Sequence, residues 1–345
     1  MTTTELRPRG PLSEAVLRRM LGGEQADATA GAEDLPALAA RAVEESVDLV
    51  RDEDVQFALF ALYASHYGSL GQLDPELEWD TMLIETRRVL ETAFERQLRR
   101  QVEVPDTPEP RAGEVARALF EATAPQSGPS LARYFARKAS KEQAEEFLKQ
   151  RSIYTLREAD PHSWAIPRLH GRAKAALVEI QSDEYGGGRP ERVHAAIYAA
   201  AMRSAGLDDR YGAYLDAAPA ITLASLNTMS MFGLNRRLVG AIVGHLAAFE
   251  MTSSLPSRLY ADGFRRLGYD ERTTDYYDEH VEADAVHEQI AAHDLAGALA
   301  EDRPELLPDI MFGAAACLAV DGWASAHILD AWTRGESSLR EPVES

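Results

Sequence analysis

Apolar residues recur along this chain at three- and four-residue intervals, and nowhere do they alternate with polar ones over the length of a strand. A helix repeats every 3.6 residues and a half-buried strand every two, so this patterning restricts the chain to an all-α fold. Ala, Leu, Glu and Arg, which are strong helix formers, dominate between the turns. With 345 residues, 45% of them hydrophobic, the chain can bury a sizeable core in one large domain or two modest ones.

Prolines, glycines and charges divide the chain. Residues 1–34 are polar and rich in Ala, Gly and Glu, and are expected to be disordered or loosely attached. A helical extension over 35–105 is expected to hold two long helices. One runs from about Leu35 to Gly68; the other opens at the Asp74-Pro75 cap and continues to about Arg100. The Pro-rich, charged stretch 106–113 reads as a connector, 114–335 as a further run of helices, and 336–345 as a polar, frayed tail. No internal repeat is visible.

The formal net charge of −20 opposes binding to nucleic acid and is compatible with a cationic substrate, although solubility alone is sufficient reason for it. Cys317 is the single cysteine, which removes a disulfide framework and a Cys-ligated zinc site and points to a reducing, cytoplasmic setting. No signal peptide is visible, and no apolar run reads as long enough to span a bilayer, so no membrane partner is expected.

Several core stripes end in groups that do not belong in a core. Ser140-x-x-Gln143 is a capping box that starts a helix ending before Pro161, with Phe147, Tyr154 and Glu158 on one face. The next helix, from about Ser163 to Tyr185, carries Leu169, Ala173, Leu177, Ile180 and then Glu184. Gly186, Gly187 and Gly188 end it, and Pro190 opens a helix presenting His194, Tyr198 and Ala201. Val239, Val243 and Leu246 are continued by Glu250. From about Thr273, one face carries Tyr277, His280, Asp284, His287 and Ala291, spacing that aligns the three polar members.

Each of these has an ordinary explanation. A glutamate closing an apolar stripe usually reaches water, a core histidine is usually just hydrogen-bonded, and the helix bearing His280 is polar nearly all round. Together they match the way helix bundles bind two metals, with inward carboxylates and imidazoles from four helices. Four carboxylates and three imidazoles without a thiolate suit iron or manganese better than structural zinc.

These residues resemble the heme-oxygenase-like diiron oxidases and oxygenases. The matching elements are Glu158 in LREADPHSWAIPRL, Glu184 and His194 in DEYGGGRPERVH, Glu250 in HLAAFEMTSS, and His280, Asp284 and His287 in HVEADAVH. The resemblance covers about 114–335 and implies a heme-oxygenase-like bundle with additional N-terminal helices, which in longer members can make dimer contacts. It implies two Fe(II)/Fe(III) ions held by those seven residues, O2 as co-substrate activated as a peroxo-diiron(III) species, and an external electron donor such as a reductase. Members with an additional carboxylate at the Glu184 position resemble N-oxygenases of natural-product pathways. The expected activity is therefore N-oxygenation of a small amine, guanidine or aminoimidazole metabolite. The alternatives are a diiron oxidase that desaturates or cleaves the carbon chain of a fatty acid or amino acid, and a non-catalytic helical binding module. The resemblance also implies weak retention of the iron bound by residues 273–294.

Tyr154, Tyr198, Met229, Met231, Phe232 and Tyr277 are candidates for a substrate pocket, although core packing is the commoner role for such residues. Asp183 reads as a helix-end carboxylate that could pair with a cationic substrate. His66, His162, His170, His245, His293 and His327 have no placement that marks them as ligands, and Cys317 reads as inert packing.

Overall fold

A computed structural model of the chain describes residues 6–21, 34–125 and 127–341, the side chains of 282–285 excepted. Among the described residues there is no strand, as the patterning requires. The N-terminal part holds α1 (Pro11–Met20), α2 (Leu35–Glu45), α3 (Glu53–Ala64) and α4 (Thr81–Gln101). The main body follows with α5 (Ala112–Thr123), α6 (Leu131–Lys138), α7 (Lys141–Thr155), the single turn α8 (Asp160–Ser163) and α9 (Gly171–Glu184). It continues through α10 (His194–Ser204), α11 (Ala220–Leu234), α12 (Val239–Arg266) and α13 (Glu271–Gln289). A π-helical stretch, Ile290–Gly297, prolongs α13, and α14 (Ala298–Asp302) leads to α15 (Leu307–Arg334).

The central element is α12. Its first half, Val239–Ala248, is buried on every side, and it packs against α15, α13 and α6. The N-terminal helices are not a separate body: α3 packs on α11, and one apolar core runs from Leu12 through Phe57 and Leu90 to Val320. A second cluster, with Phe135, Phe147, Tyr260, Phe264 and Trp332 at its centre, closes the other end.

The N-terminal expectations need correction. Residues 11–20 were expected to be disordered or loosely attached, yet α1 buries Leu12, Val16, Leu17 and Met20, and Asp54 accepts hydrogen bonds from the amides of Leu12 and Ser13. The helix expected over 35–68 is two helices. Ser46 leaves helical geometry at ψ 128°, and the Asp52 carboxylate caps the amide of Val55, which restarts the chain as α3. Asp74-Pro75 does open a turn, but a short 3-10 one; the long helix starts only after Asp80 caps Leu83. Likewise the helix expected from Ser163 starts at Gly171, after a 3-10 turn containing Pro167. The Ser140 capping box stands as read.

The expectation about membrane-length segments is also overturned. Arg236–Arg266 and Pro304–Arg334 are both long and apolar enough to cross a bilayer by length and composition. Most of each apolar window is buried inside the fold (67% and 61%), which is how the core helices of a large bundle pass the same test.

These two helices touch backbone to backbone. A methyl group built on Gly244 would collide with the Ile310 carbonyl, and one on Gly313 with the Ala241 carbonyl. Neither backbone can give way without parting the helices. Gly244→Ala and Gly313→Ala are each expected to destabilise the fold by roughly 2 kcal/mol or more, read as a lowered melting temperature. A melting temperature unchanged in both variants would show that the crossing is loosely packed.

Candidate metal centre

Five elements deliver six of the seven sequence-predicted ligands to one place. Glu158 stands in the turn after α7, Glu184 is the last residue of α9, His194 opens α10, Glu250 lies in α12, and His280 and His287 lie in α13. Gly186 makes the second and third of these neighbours. Its φ is 71°, and the returning backbone at Arg192 and Val193 passes so close that a Cβ would lie 2.6 Å from it. This turn folds the end of α9 against the start of α10.

Glu158, Glu184, His194 and His280 are all buried, and each offers one ligand atom within 4.8 Å of the others. Glu184, Glu250 and His287, also buried, form a second such group. Glu184 belongs to both. The sequence placed His280 and His287 on one stripe; the structure divides them between the two groups. The side chain of Asp284 lies outside the described residues.

The imidazoles are oriented from outside. His280 Nδ1 lies 2.7 Å from the Tyr276 carbonyl one turn earlier, so the carbonyl accepts its N–H and leaves Nε2, 3.5 Å from Glu158 Oε1, for the site. His287 Nε2 lies 3.1 Å from Asp183 Oδ2, which directs Nδ1 inward to within 3.3 Å of Glu250 Oε2. A carboxylate or carbonyl behind an imidazole fixes tautomer and aim in this way at metal sites. Asp183, read from sequence as a possible substrate partner, is thus occupied by His287. Tyr276 donates to both oxygens of Glu158, at 2.7 and 2.8 Å. Sequence reading missed Tyr276, although its place four residues before His280 was a usable signal.

The arrangement fits a bound cation. His194 Nδ1 is only 2.9 Å from Glu184 Oε2, and His287 Nδ1 similarly faces Glu250, yet neither nitrogen has hydrogen-bond geometry and both are buried. Such orphaned atoms are rare unless a further group stands between nitrogen and oxygen. The described donors are carboxylate oxygens and imidazole nitrogens without thiolate, a set suited to iron or manganese. Cys317 is buried, and burial pushes its thiol well up, so it stays protonated.

Without metal, protons hold the charges together. Burial opposes ionisation of His194 and Glu184, but each other's charge outweighs it: His194 stands above its usual range and Glu184 below. Glu250 is pushed up by burial. Burial also pulls His287 down, but Glu250, Asp183 and Glu184 prevail and raise it from 6.5 to about 9. The charged ring therefore contributes stability that is fully present below pH 6.5 and is lost as pH rises through about 9. A metal must expel that proton. Divalent-metal affinity is expected to climb with pH toward about 9, by roughly tenfold per unit for each displaced proton, and then level off. Chelator competition at several pH values checks this, and a flat profile over that range would contradict it.

A second histidine pair went unmarked in the sequence. His162 Nε2 and His245 Nδ1 lie 3.2 Å apart, fully buried; burial lowers His245 to about 3 and His162 well below its usual range, so both are neutral. His162 borders the crevice containing Glu184 and Glu250. Beside the centre opens a cavity of about 230 Å³ that reaches Glu158 and His280. Tyr154, Tyr198 and Tyr277 line it as expected, whereas Met229, Met231 and Phe232 do not; they are core residues of α11.

The sequence profile of the iron-containing redox enzymes matches residues 145–322, just over half of the chain. A comparison with curated proteins found no match. The matched stretch contains every residue of both buried ligand groups, and the all-helical fold is the heme-oxygenase-like one. The chain therefore belongs to the iron-containing redox enzyme family and is an oxidoreductase.

Proposed function

We propose that the protein is an O2-activating non-heme diiron oxygenase that N-oxygenates a small nitrogenous metabolite. The observation that supports this reading is the membership of Glu184 in both groups of candidate ligands, so that one carboxylate could serve two metal ions. Glu158, Glu184, His194 and His280 would hold one iron; Glu184, Glu250 and His287 would hold the other. Asp284 is included on its place in the sequence between His280 and His287. The chemistry that iron supplies in such a centre is reduction of dioxygen and delivery of one oxygen atom to the substrate, with electrons restored by an external donor.

The chain's own part is positioning. Tyr276 holds the Glu158 carboxylate by both oxygens, the Tyr276 carbonyl and Asp183 lock two imidazoles, and Tyr154 and Phe249, packed edge to face at 5.3 Å, form part of the wall of the crevice that contains Glu158, Glu184 and Glu250. Burial and the facing Glu158 hold the Tyr276 hydroxyl well above its usual range, so it remains a donor. Glu184 as a further anionic ligand is the feature that favours N-oxygenation over attack on a carbon chain.

Anaerobic iron titration followed by Mössbauer spectroscopy tests the centre: two irons per chain in distinct environments are expected. Saturation at one would remove the dinuclear reading. Oxygen uptake with candidate amines and guanidines, with products weighed by mass spectrometry, tests the reaction. Gain of oxygen on nitrogen is expected; loss of two hydrogens or of a carbon fragment would assign the oxidase alternative instead. Protein purified without added iron should hold fewer than two irons per chain.

A further inference from the structure

The cavity beside the centre has a polar end that metal binding does not account for. From Glu158 and His280 it extends to Arg151 and Asp321. Arg151, Tyr154 and Glu158 follow one another at i, i+3 and i+7 along α7 and the turn after it, so they share a face. Seven residues of helix rise about 10 Å, which separates the polar end from the ligands.

Arg151 is half-buried, lies 5.6 Å above the Phe147 ring and hydrogen-bonds the Tyr260 hydroxyl, but forms no ion pair with any described residue. Asp321, on α15, accepts a hydrogen bond from Ser225 Oγ at 2.6 Å and forms no ion pair either. Each feels the other's charge without touching it, and both also border a smaller cavity of about 40 Å³. Burial pushes the Asp321 carboxyl up, so it is a bound cation that would keep it ionised. An opposite pair held apart across a common space forgoes the contact that would offset its desolvation. An occupant carrying one charge of each sign restores both contacts at once.

We propose that this end of the cavity anchors an α-amino acid: Arg151 takes its carboxylate, Asp321 takes its α-ammonium group, and its side chain extends toward Glu158 and His280. The span of about 10 Å selects long side chains over short ones, and the reacting nitrogen is then the distal one. The placement of the reacting end rests on the diiron reading; the anchor itself does not.

The test is calorimetry on the iron(II)-loaded full chain under anaerobic conditions. The probes are L-lysine and L-arginine, their decarboxylated counterparts cadaverine and agmatine, and 6-aminohexanoate, which lacks the α-ammonium group. At least one amino acid is expected to bind roughly tenfold or more tightly than its amine. Arg151→Met should abolish that preference and leave the affinity for the amine unchanged; Asp321→Asn should abolish the preference over 6-aminohexanoate. Equal binding of amine and amino acid, a preference that survives Arg151→Met, or no binding of either amino acid at millimolar concentration would each overturn the anchor. Should Arg151→Met fail to fold, as judged by circular dichroism, Arg151→Lys is expected to keep the preference in reduced form, and an undiminished one overturns the proposal. Iron content measured on the same samples separates the two readings. Iron bound without amino-acid binding defeats the anchor alone. A chain that takes up no iron defeats the diiron centre, and the binding preference is then read on the metal-free protein.

Discussion

Glu184→Ala is expected to lower bound iron from two per chain to one or fewer and to reduce O2-dependent product formation by roughly 100-fold or more. The residue is the single member shared by both buried ligand groups, so its loss weakens two sites together. His194 loses the charge that chiefly holds its imidazole above the usual range, so burial, the largest opposing influence, prevails and lowers it. Glu184→Gln, which keeps the side-chain volume, separates loss of charge from loss of packing and is expected to fail nearly as badly. Iron analysis with circular dichroism as a folding control decides the matter. Two firmly bound irons and full activity in Glu184→Ala would defeat both the bridging role and the preference for N-oxygenation built on it.

The second large effect is expected from Tyr276→Phe. Its hydroxyl donates to both oxygens of a carboxylate that is only 6% exposed. Without that donor the charge is left buried and under-satisfied, at a cost of about 1.5–3 kcal/mol in the metal-free protein. Iron affinity is expected to fall by roughly 10- to 100-fold, because Glu158 loses the group that aims it. Metal titration and thermal melting, each with and without iron, are the measurements. Unchanged values in all of them would mean that the carboxylate is held adequately by His280 alone.

The buried carboxylates and imidazoles that make up the candidate centre were legible because the pattern that buries a helix face also shows where a face is interrupted. Glu184 and Glu250 continue apolar stripes whose other members, Leu169, Ala173, Leu177 and Ile180 in one and Val239, Val243 and Leu246 in the other, are buried, and both are buried with them. The division of α13 between two groups was not legible: His280 and His287 share a stripe, and only the packing of α7, α9 and α12 decides which neighbour each meets. The failures nearer the N-terminus have a different cause. The Leu12, Val16 and Met20 repeat was present in the sequence, but its helix is short and flanked by Gly- and Ala-rich chain, and its stability comes from α3 rather than from itself. The break after Glu45 depends on capping by Asp52, a local contest between turn and helix that periodicity does not register. The apolar content of α12 and α15 was underestimated for a related reason: helices buried on every side show no polar face to reveal their boundaries.

The close crossing of α12 and α15, where Gly244 meets Ile310 and Gly313 meets Ala241, reaches beyond stability. Farther toward the C-termini of the same two helices lie Thr252, Ser253 and Pro256 on one side and Cys317, Asp321 and Ser325 on the other, all bordering the large cavity. The helices thus act as two arms joined at a fulcrum that has no side chain to cushion it. Pro256 stands twelve residues along its arm from Gly244, about 18 Å of helix, so a rotation of about 5° at the fulcrum moves the wall by about 1.5 Å. That is close to the width of one methylene group. The girth of molecule admitted to the cavity can therefore be reset by a change at the joint, with every wall residue and every ligand left as it is.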